Sequence, residues 1–259
     1  MRVLMIGCGN MGASLLTRWV ELKGTSFSVV DPATTFSDPR VKIFRSADAV
    51  EGDAFDLLII AVKPQMIADV MPEYLKLARA DAPALSIAAG VSCARLESVV
   101  GARPIIRVMP NLPARIGKGV SGIYFNASTP DVVKDETREM MRTAGAVVEV
   151  DDEDGLDRVT AIAGSGPGYV FEIARAYVEA AKKLGFGDQQ ARTLVLGTIA
   201  GAVEMAAGST DDLANMRNAV TSKAGTTEAG LKALNGDGTL SKLMEAATQA
   251  AYERAVELR

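Results

Sequence analysis

The segment Ile6-Gly7-Cys8-Gly9-Asn10-Met11-Gly12 carries three glycines spaced G-x-G-x-x-G immediately after a short apolar run. That spacing suits a backbone that must meet a pyrophosphate. Gly7 makes the tight turn, Gly9 lets phosphate oxygens reach the main chain, and Gly12 lets the following helix pack close. The helix start adds free N–H groups and the positive end of its dipole. An ordinary strand-to-helix turn can show the same glycines, but their place at the head of a βαβ pattern favours a dinucleotide site. Asp31 ends the next apolar run about 20 residues on, where a carboxylate can accept from the ribose 2′-hydroxyl of NADH. Asp31-Pro32 also reads as the opening of a turn. A 2′-phosphate would meet the charge of Asp31 unless Arg40, Lys42 or Arg45 folds over it, so NADPH and NADH both stand as cofactors.

Ala61-Val62-Lys63-Pro64-Gln65 follows the apolar run Leu57-Leu58-Ile59-Ile60, at the carboxyl end of a strand, where doubly wound sheets bind ligands. Lys63 there is either a cofactor-facing donor or a solvated lysine. Ser86-Ile87-Ala88-Ala89-Gly90 ends another strand in small residues, which leave room for a flat nicotinamide or permit close packing, and Met109-Pro110-Asn111 ends a third. Gly164-Ser165-Gly166-Pro167-Gly168-Tyr169 reads as a flexible turn into a helix. Thr221-Ser222-Lys223-Ala224-Gly225-Thr226-Thr227 joins two helices, and the free N–H groups of such a joint can hold a carboxylate. Helix capping alone would also account for its hydroxyls. The chain has no histidine, which removes Ser-His-Asp hydrolysis, His-ligated zinc and imidazole proton transfer. Cys8 and Cys93 form neither a metal-ligand spacing nor a disulfide framework, so no metal is expected.

These segments need a scaffold that brings their ends together. Strands are predicted at 2–6, 27–31, 41–44, 56–62, 84–88, 105–108, 120–125 and 146–150, with helices near 10–22, 65–79, 93–100 and 131–143. Thr129 is expected to cap the last helix, with Pro130 in its first position and Gly145 past its end. Beyond the acidic stretch 151–154 apolar residues recur at helical spacing, as in Val170, Ala174, Tyr177, Ala181 and Leu184, and no strand pattern remains. The fold class is therefore α/β: a Rossmann-type doubly wound sheet over 1–151, then an all-helical domain over 152–259. The narrow apolar faces of those helices can be buried against a second subunit.

At 259 residues the chain can bury cores without staples. A net charge of −4 offers no footprint for nucleic acid or an anionic membrane, and no apolar run nears the roughly 20 residues of a bilayer span. The N-terminus shows no basic segment followed by a cleavage site, so a cytoplasmic protein is expected.

Taken together, the Gly7–Gly12 loop, Ala61-Val62-Lys63-Pro64, Ala88-Ala89-Gly90, Met109-Pro110-Asn111, Ser165-Gly166-Pro167 and the Ser222–Thr227 loop resemble the pyrroline-5-carboxylate reductase family over nearly the whole chain. The resemblance implies hydride transfer from NADPH or NADH to the C=N carbon of (S)-1-pyrroline-5-carboxylate, giving L-proline in the last step of proline biosynthesis. It implies that Ile6, Gly7, Cys8, Gly9, Asn10 and Met11 line the cofactor, with Ala61, Val62, Lys63, Pro64, Ile87, Ala88 and Ala89. It implies that Glu153, Thr226 and Thr227 contact the pyrroline carboxylate or ring, that Ser222 and Gly225 belong to the same substrate site, and that Thr227 hydrogen-bonds the ring nitrogen. It implies a homodimer, in many members assembled into a larger ring. The family usually reads Ser-Pro-Gly-Gly-Thr-Thr where this chain has Ser222-Lys223-Ala224-Gly225-Thr226-Thr227. Losing the proline frees φ and restores an N–H, while Ala224 penalises any positive φ. The rivals are a related imine or β-hydroxyacid reductase, with Lys182, Lys183 or Lys223 as acid and base, and a non-catalytic NAD(P)-binding regulatory protein.

Overall fold

The computed structural model describes residues 1–51 and 54–259. Among the described residues eight strands form one sheet: β1 (Arg2–Ile6), β2 (Ser26–Val30), β3 (Val41–Phe44), β4 (Leu57–Ile60), β5 (Ala84–Ser86), β6 (Ile105–Met109), β7 (Gly119–Phe125) and β8 (Gly145–Glu149). Their order is β3-β2-β1-β4-β5-β6-β7-β8. The strands from β3 to β6 are parallel, β7 runs antiparallel to β6, and β8 is parallel to β7. The order reverses between β1 and β4, so the crevice beyond their carboxyl ends is the switch point at which such sheets bind ligands.

The consecutive apolar residues of β4 are explained by two cores. Successive side chains leave a strand on opposite faces. Leu57 and Ile59 join Val3, Met5, Leu85 and Trp19 on one side. Leu58 and Ile60 join Leu4, Ile6, Ile67 and Leu96 on the other. Helix α1 (Asn10–Trp19) covers the first face with Leu15, Leu16 and Trp19, as α4 (Asp131–Arg142) does with Met140 and Met141. Helices α2 (Ile67–Leu75) and α3 (Cys93–Val100) cover the second.

Several boundaries differ from expectation for local reasons. β4 and β5 end at Ile60 and Ser86, and Ala61–Pro64 and Ile87–Ala89 lie beyond them as connecting loops. A 3₁₀ turn over Pro64–Met66 precedes α2. Thr129 does not cap α4; its hydroxyl donates to Asn126 Oδ1 at 2.8 Å, and the helix begins at Asp131, after Pro130. Gly145, with φ of +142°, opens β8.

From residue 153 onward the structure is helical: α5 (Glu153–Val159), α6 (Gly166–Lys183), α7 (Asp188–Ala207), α8 (Leu213–Ala219), α9 (Thr226–Asn235) and α10 (Thr239–Glu257). The expected flexible turn at 164–169 is instead almost continuous helix, with a π turn over Thr160–Gly164 feeding α6. Pro167 lies in the first turn of α6, where its missing N–H breaks no ladder bond. Asn111 stitches the π turn to the sheet, donating to the Ala163 carbonyl at 3.0 Å and accepting from the Val120 N–H at 2.8 Å.

The chain forms two compact units, Met1–Pro167 with Ala251–Arg259, and Gly168–Ala250. The strand pattern thus stops just before residue 152, while the first unit continues through α5 and the π turn. Within that unit the end of α10 is fastened to α5: the Tyr252 hydroxyl donates to Asp154 at 2.6 Å, and Arg259 pairs with Asp157. In the second unit the apolar residues buried among those described are Ala174, Ala181, Ala191 and Val195, while Phe171, Leu184, Val203, Met205, Leu213 and Leu243 are exposed. Small side chains let α6 and α7 touch, and the large ones point away. Among the described residues no helix is long and apolar enough to cross a membrane.

Candidate active site

The three loop glycines have three different surroundings. Gly7 has φ of +85°, and a Cβ there would stand 2.8 Å from the Ala61 carbonyl oxygen and from Val62 Cγ1. A Cβ on Gly12 would meet Met5 Cε at 2.5 Å, so this glycine is what lets α1 lie against β1. A Cβ on Gly9 would meet nothing within 4 Å among the described residues, which leaves open space of the kind a pyrophosphate needs beside the main chain. The loop is pinned from both sides, Gly7 N–H to the Val30 carbonyl at 2.9 Å and Ala61 N–H to the Ile6 carbonyl at 2.8 Å.

Asp31 has a role that spacing alone did not reveal. Its Oδ2 accepts the Cys8 N–H at 2.7 Å and its Oδ1 accepts the Ala33 N–H at 2.8 Å, so the carboxylate is turned into the backbone of the glycine loop and of its own turn. Thr34 holds the next peptide of the loop, its hydroxyl donating to the Cys8 carbonyl at 3.0 Å. Burial pushes the Cys8 thiol up, reinforced by the charge of Asp31 and opposed by the Thr34 hydrogen bond. The thiol therefore stays neutral and sets no negative charge against a phosphate. A cleft of about 260 Å³ opens here, lined by Gly9, Asn10, Asp31, Thr34, Thr35 and Phe36 among others. Of the three basic residues considered, Arg40 is occupied by Asp38 and Glu21 at 2.8 Å each. Lys42 is exposed. Arg45 is anchored beside the cleft, its Nη1 donating to the carbonyls of Asp31 and Thr34 at 3.1 Å each.

The first unit gathers Ile6–Gly12, Asp31, Ala61–Pro64 and Ile87–Ala89 at the carboxyl ends of β1, β2, β4 and β5. The Ile87 N–H donates to the Ile60 carbonyl at 3.1 Å, and the Ala88 N–H to Ser86 Oγ at 3.2 Å. Lys63 is exposed at this edge. Gly90, with φ of +68°, has the Leu258 carbonyl oxygen 2.7 Å from where a Cβ would stand.

Glu153 opens α5, which Asp152 caps by accepting the Gly155 N–H at 2.6 Å. Its Oε1 accepts both the Cys93 N–H at 2.7 Å, at the start of α3, and Arg107 Nη1 at 2.5 Å. The Arg107 side chain is only 5 % exposed. Burial, with the charge of Glu153, pushes the Cys93 thiol up to about 12. Arg107 sits mid-strand with no local signature, and only its pairing with the half-buried Glu153 reveals it.

In the second unit Ser222, Gly225, Thr226 and Thr227 surround the start of α9. Gly225 precedes the helix, its N–H donating to the Ser222 carbonyl at 3.0 Å, and a Cβ on it would collide with Ser222 Oγ. Ala224 has φ of +58°, the left-handed region that alanine disfavours. Its N–H donates to the Glu228 carboxylate at 2.5 Å.

Two family models match the chain, one described as pyrroline-5-carboxylate reductase dimerisation over residues 153–258 and one as NADP oxidoreductase, coenzyme F420-dependent, over residues 2–90. A pyrroline-5-carboxylate reductase of Pseudomonas aeruginosa is 36% identical, over 99% of this chain and 96% of its own. Among solved structures, a pyrroline-5-carboxylate reductase from Coxiella burnetii aligns with a TM-score of 0.88 at 31% identity, covering 99% of this chain and 97% of the other. The pyrroline carboxylate reductase of Plasmodium falciparum with NADP bound aligns with a TM-score of 0.85 at 25% identity, covering 100% and 98%. With a relative of that identity along its full length and the glycine loop and helical half each matched by a model, the chain belongs to the pyrroline-5-carboxylate reductase family.

Proposed function

We propose that this chain reduces (S)-1-pyrroline-5-carboxylate to L-proline with NADPH or NADH, as the last step of proline biosynthesis. Beyond the family, the observation that carries this reading is the glycine loop, where Gly7 and Gly12 are closed in by neighbours and Gly9 alone faces open space. The nucleotide, when bound, supplies a hydride from its nicotinamide. Ile6–Gly12 cradle its pyrophosphate, Ala61–Pro64 and Ile87–Ala89 line the remainder, and Arg45 is the group we assign to a 2′-phosphate. Asp31 and Thr34 grip the peptides on either side of Cys8 and keep the cradle in shape.

At the other end, backbone N–H groups at the start of α9 receive the substrate carboxylate, aided by the Ser222 and Thr226 hydroxyls. The Gly225 main chain lets the substrate come close, and Thr227 hydrogen-bonds the ring nitrogen. A protonated cyclic imine is already an electrophile, so positioning contributes most of the rate and no side chain need donate a proton in the transition state. That suits a chain without histidine, and a threonine hydroxyl is too weak an acid for the task. Glu153 orders the N-terminus of α3 through Cys93 and fixes Arg107, with its second oxygen left for the substrate. We assign residues 1–151 to the nucleotide and 152–259 to the substrate and to dimerisation. The exposed apolar residues of the helical unit support a homodimer, on which a larger ring can be built. The acidic net charge supports an enzyme without nucleic-acid or membrane partners, and we assign it to the cytoplasm.

The test follows reduced-nucleotide absorbance with pyrroline-5-carboxylate. Consumption with product proline is expected, and Thr227→Ala should lower kcat/KM about fivefold, the worth of one hydrogen bond, with nucleotide affinity unchanged. Tight nucleotide binding with no consumption of either coenzyme would sink the reductase reading.

A further inference from the structure

We infer that Glu228 is a positioning residue for the substrate loop: it holds a strained alanine in the geometry that presents the start of α9. The inference rests on the proposed role of the Ser222–Thr227 loop.

A glutamate in the third position of a helix ordinarily reaches back to the N–H of the residue just before the helix. Glu228 is third in α9, and the residue before the helix is Gly225. The Gly225 N–H, however, is already taken by the Ser222 carbonyl at 3.0 Å. Glu228 reaches one residue further and accepts the Ala224 N–H at 2.5 Å. Ala224 is the residue at φ of +58°. A side chain in the left-handed region is disfavoured relative to glycine, so this residue drifts toward ordinary φ unless something outside it holds the turn. The Glu228 carboxylate is that hold, and it closes a ring of main chain from Ala224 to Glu228.

The ring determines where the open N–H groups lie. With Gly225 bonded to Ser222, and with the first ladder bond of the helix running from Ala229 N–H to the Gly225 carbonyl at 3.2 Å, the N–H groups of Thr226, Thr227 and Glu228 precede the ladder. These are the groups proposed to receive the substrate carboxylate. Were the Ala224 turn to relax, their directions would change together, and the Gly225 contact with Ser222 would be lost as well. Glu228 thus acts on the substrate through the loop without touching it. The alanine and the glutamate form a coupled pair, because glycine at 224 adopts the left-handed region freely and needs no hold.

The experiment is a double-mutant cycle on the full-length enzyme, with E228A, E228Q, A224G and the A224G/E228A pair. E228A should raise KM for pyrroline-5-carboxylate about tenfold, the size of a lost helix-start hydrogen bond, while KM for the nucleotide stays at its wild-type value. E228Q keeps an acceptor oxygen and should restore most of the loss. In the A224G background the same E228A change should raise KM by about twofold or less. An unchanged KM in E228A overturns the inference, as does an equal penalty in both backgrounds. A fall in nucleotide affinity alongside the melting temperature also overturns it, since that marks a general structural role. Wild-type enzyme that binds nucleotide but leaves pyrroline-5-carboxylate untouched defeats the proposed function itself and the inference with it. Active wild type with an indifferent Glu228 defeats the inference alone.

Discussion

Replacing Asp31 by alanine distinguishes two roles for a carboxylate at the end of β2. If it reads the ribose hydroxyl, its loss should weaken NADH and relieve repulsion of the 2′-phosphate, shifting preference toward NADPH. The geometry predicts otherwise. Asp31 accepts the Cys8 N–H at 2.7 Å and the Ala33 N–H at 2.8 Å, and the Cys8 residue is buried. Hydrogen bonds to a charged acceptor are worth roughly 1.5–3 kcal/mol, and an orphaned buried N–H costs about 1–3 kcal/mol. Taking about 2 kcal/mol for the Cys8 bond, and placing that loss on the shape of the pyrophosphate cradle, gives about a thirtyfold weaker dissociation constant. The pyrophosphate is common to both nucleotides, so NADH and NADPH should lose affinity by the same factor. Fluorescence titration of each nucleotide against wild type and Asp31→Ala measures both constants. A selective loss of NADH with improved NADPH binding would refute the reasoning and return Asp31 to the ribose.

Two further outcomes follow from buried and tethered charges. Glu153→Ala strands the nearly buried Arg107 cation and frees the Cys93 N–H, and should destabilise the fold by about 3 kcal/mol in urea unfolding; a raised substrate KM with unchanged stability would contradict that. Asp154 is held below the usual carboxylate range by the Tyr252 hydroxyl, with help from Arg158. Because its folded pKa is the lower one, its contribution is present above the unfolded value of about 3.9 and is lost as pH falls through the folded value. Hydrogen-exchange protection factors at the end of α10, corrected for the intrinsic pH dependence of exchange, should therefore fall on acidification below about pH 4, and Tyr252→Phe should flatten that dependence; equal acid sensitivity in both proteins would contradict it.

What spacing could reveal was local. Leu57–Ile60 marked a strand covered on both faces, and α3 falls on 93–100 because Ser92 caps it by accepting the Arg95 N–H at 3.2 Å. The glycine loop was legible because its three glycines fall within one strand-turn-helix unit, although the neighbours that close in Gly7 are Ala61 and Val62, beyond β4. Contacts that bridge distant segments left no such trace. The spacing put a carboxylate at 31 but could not tell that it folds back onto Cys8, 23 positions earlier. Nor does any pattern tie Arg107 to Glu153, 46 positions apart. Thr129 illustrates the opposite failure, a residue with every local mark of a cap whose hydroxyl is claimed by Asn126 instead. At Ala224 chemistry and sequence agree on the cost of a positive φ, yet only the backbone reveals that the chain adopts it.

The helical unit with its handful of buried small residues is unusual as a thermodynamic object. Most of its large apolar side chains face outward, so the free energy that would hold those helices in place is not contained within the unit itself. For such a unit, protein concentration is a variable of the same standing as temperature, because stability drawn from association follows mass action. The start of α9 belongs to this unit, whereas the glycine loop sits on a sheet with two sealed cores of its own. Dilution and denaturant would therefore act on the two proposed sites separately, dissolving the substrate loop proposed at the start of α9 while the proposed nucleotide cradle still stands.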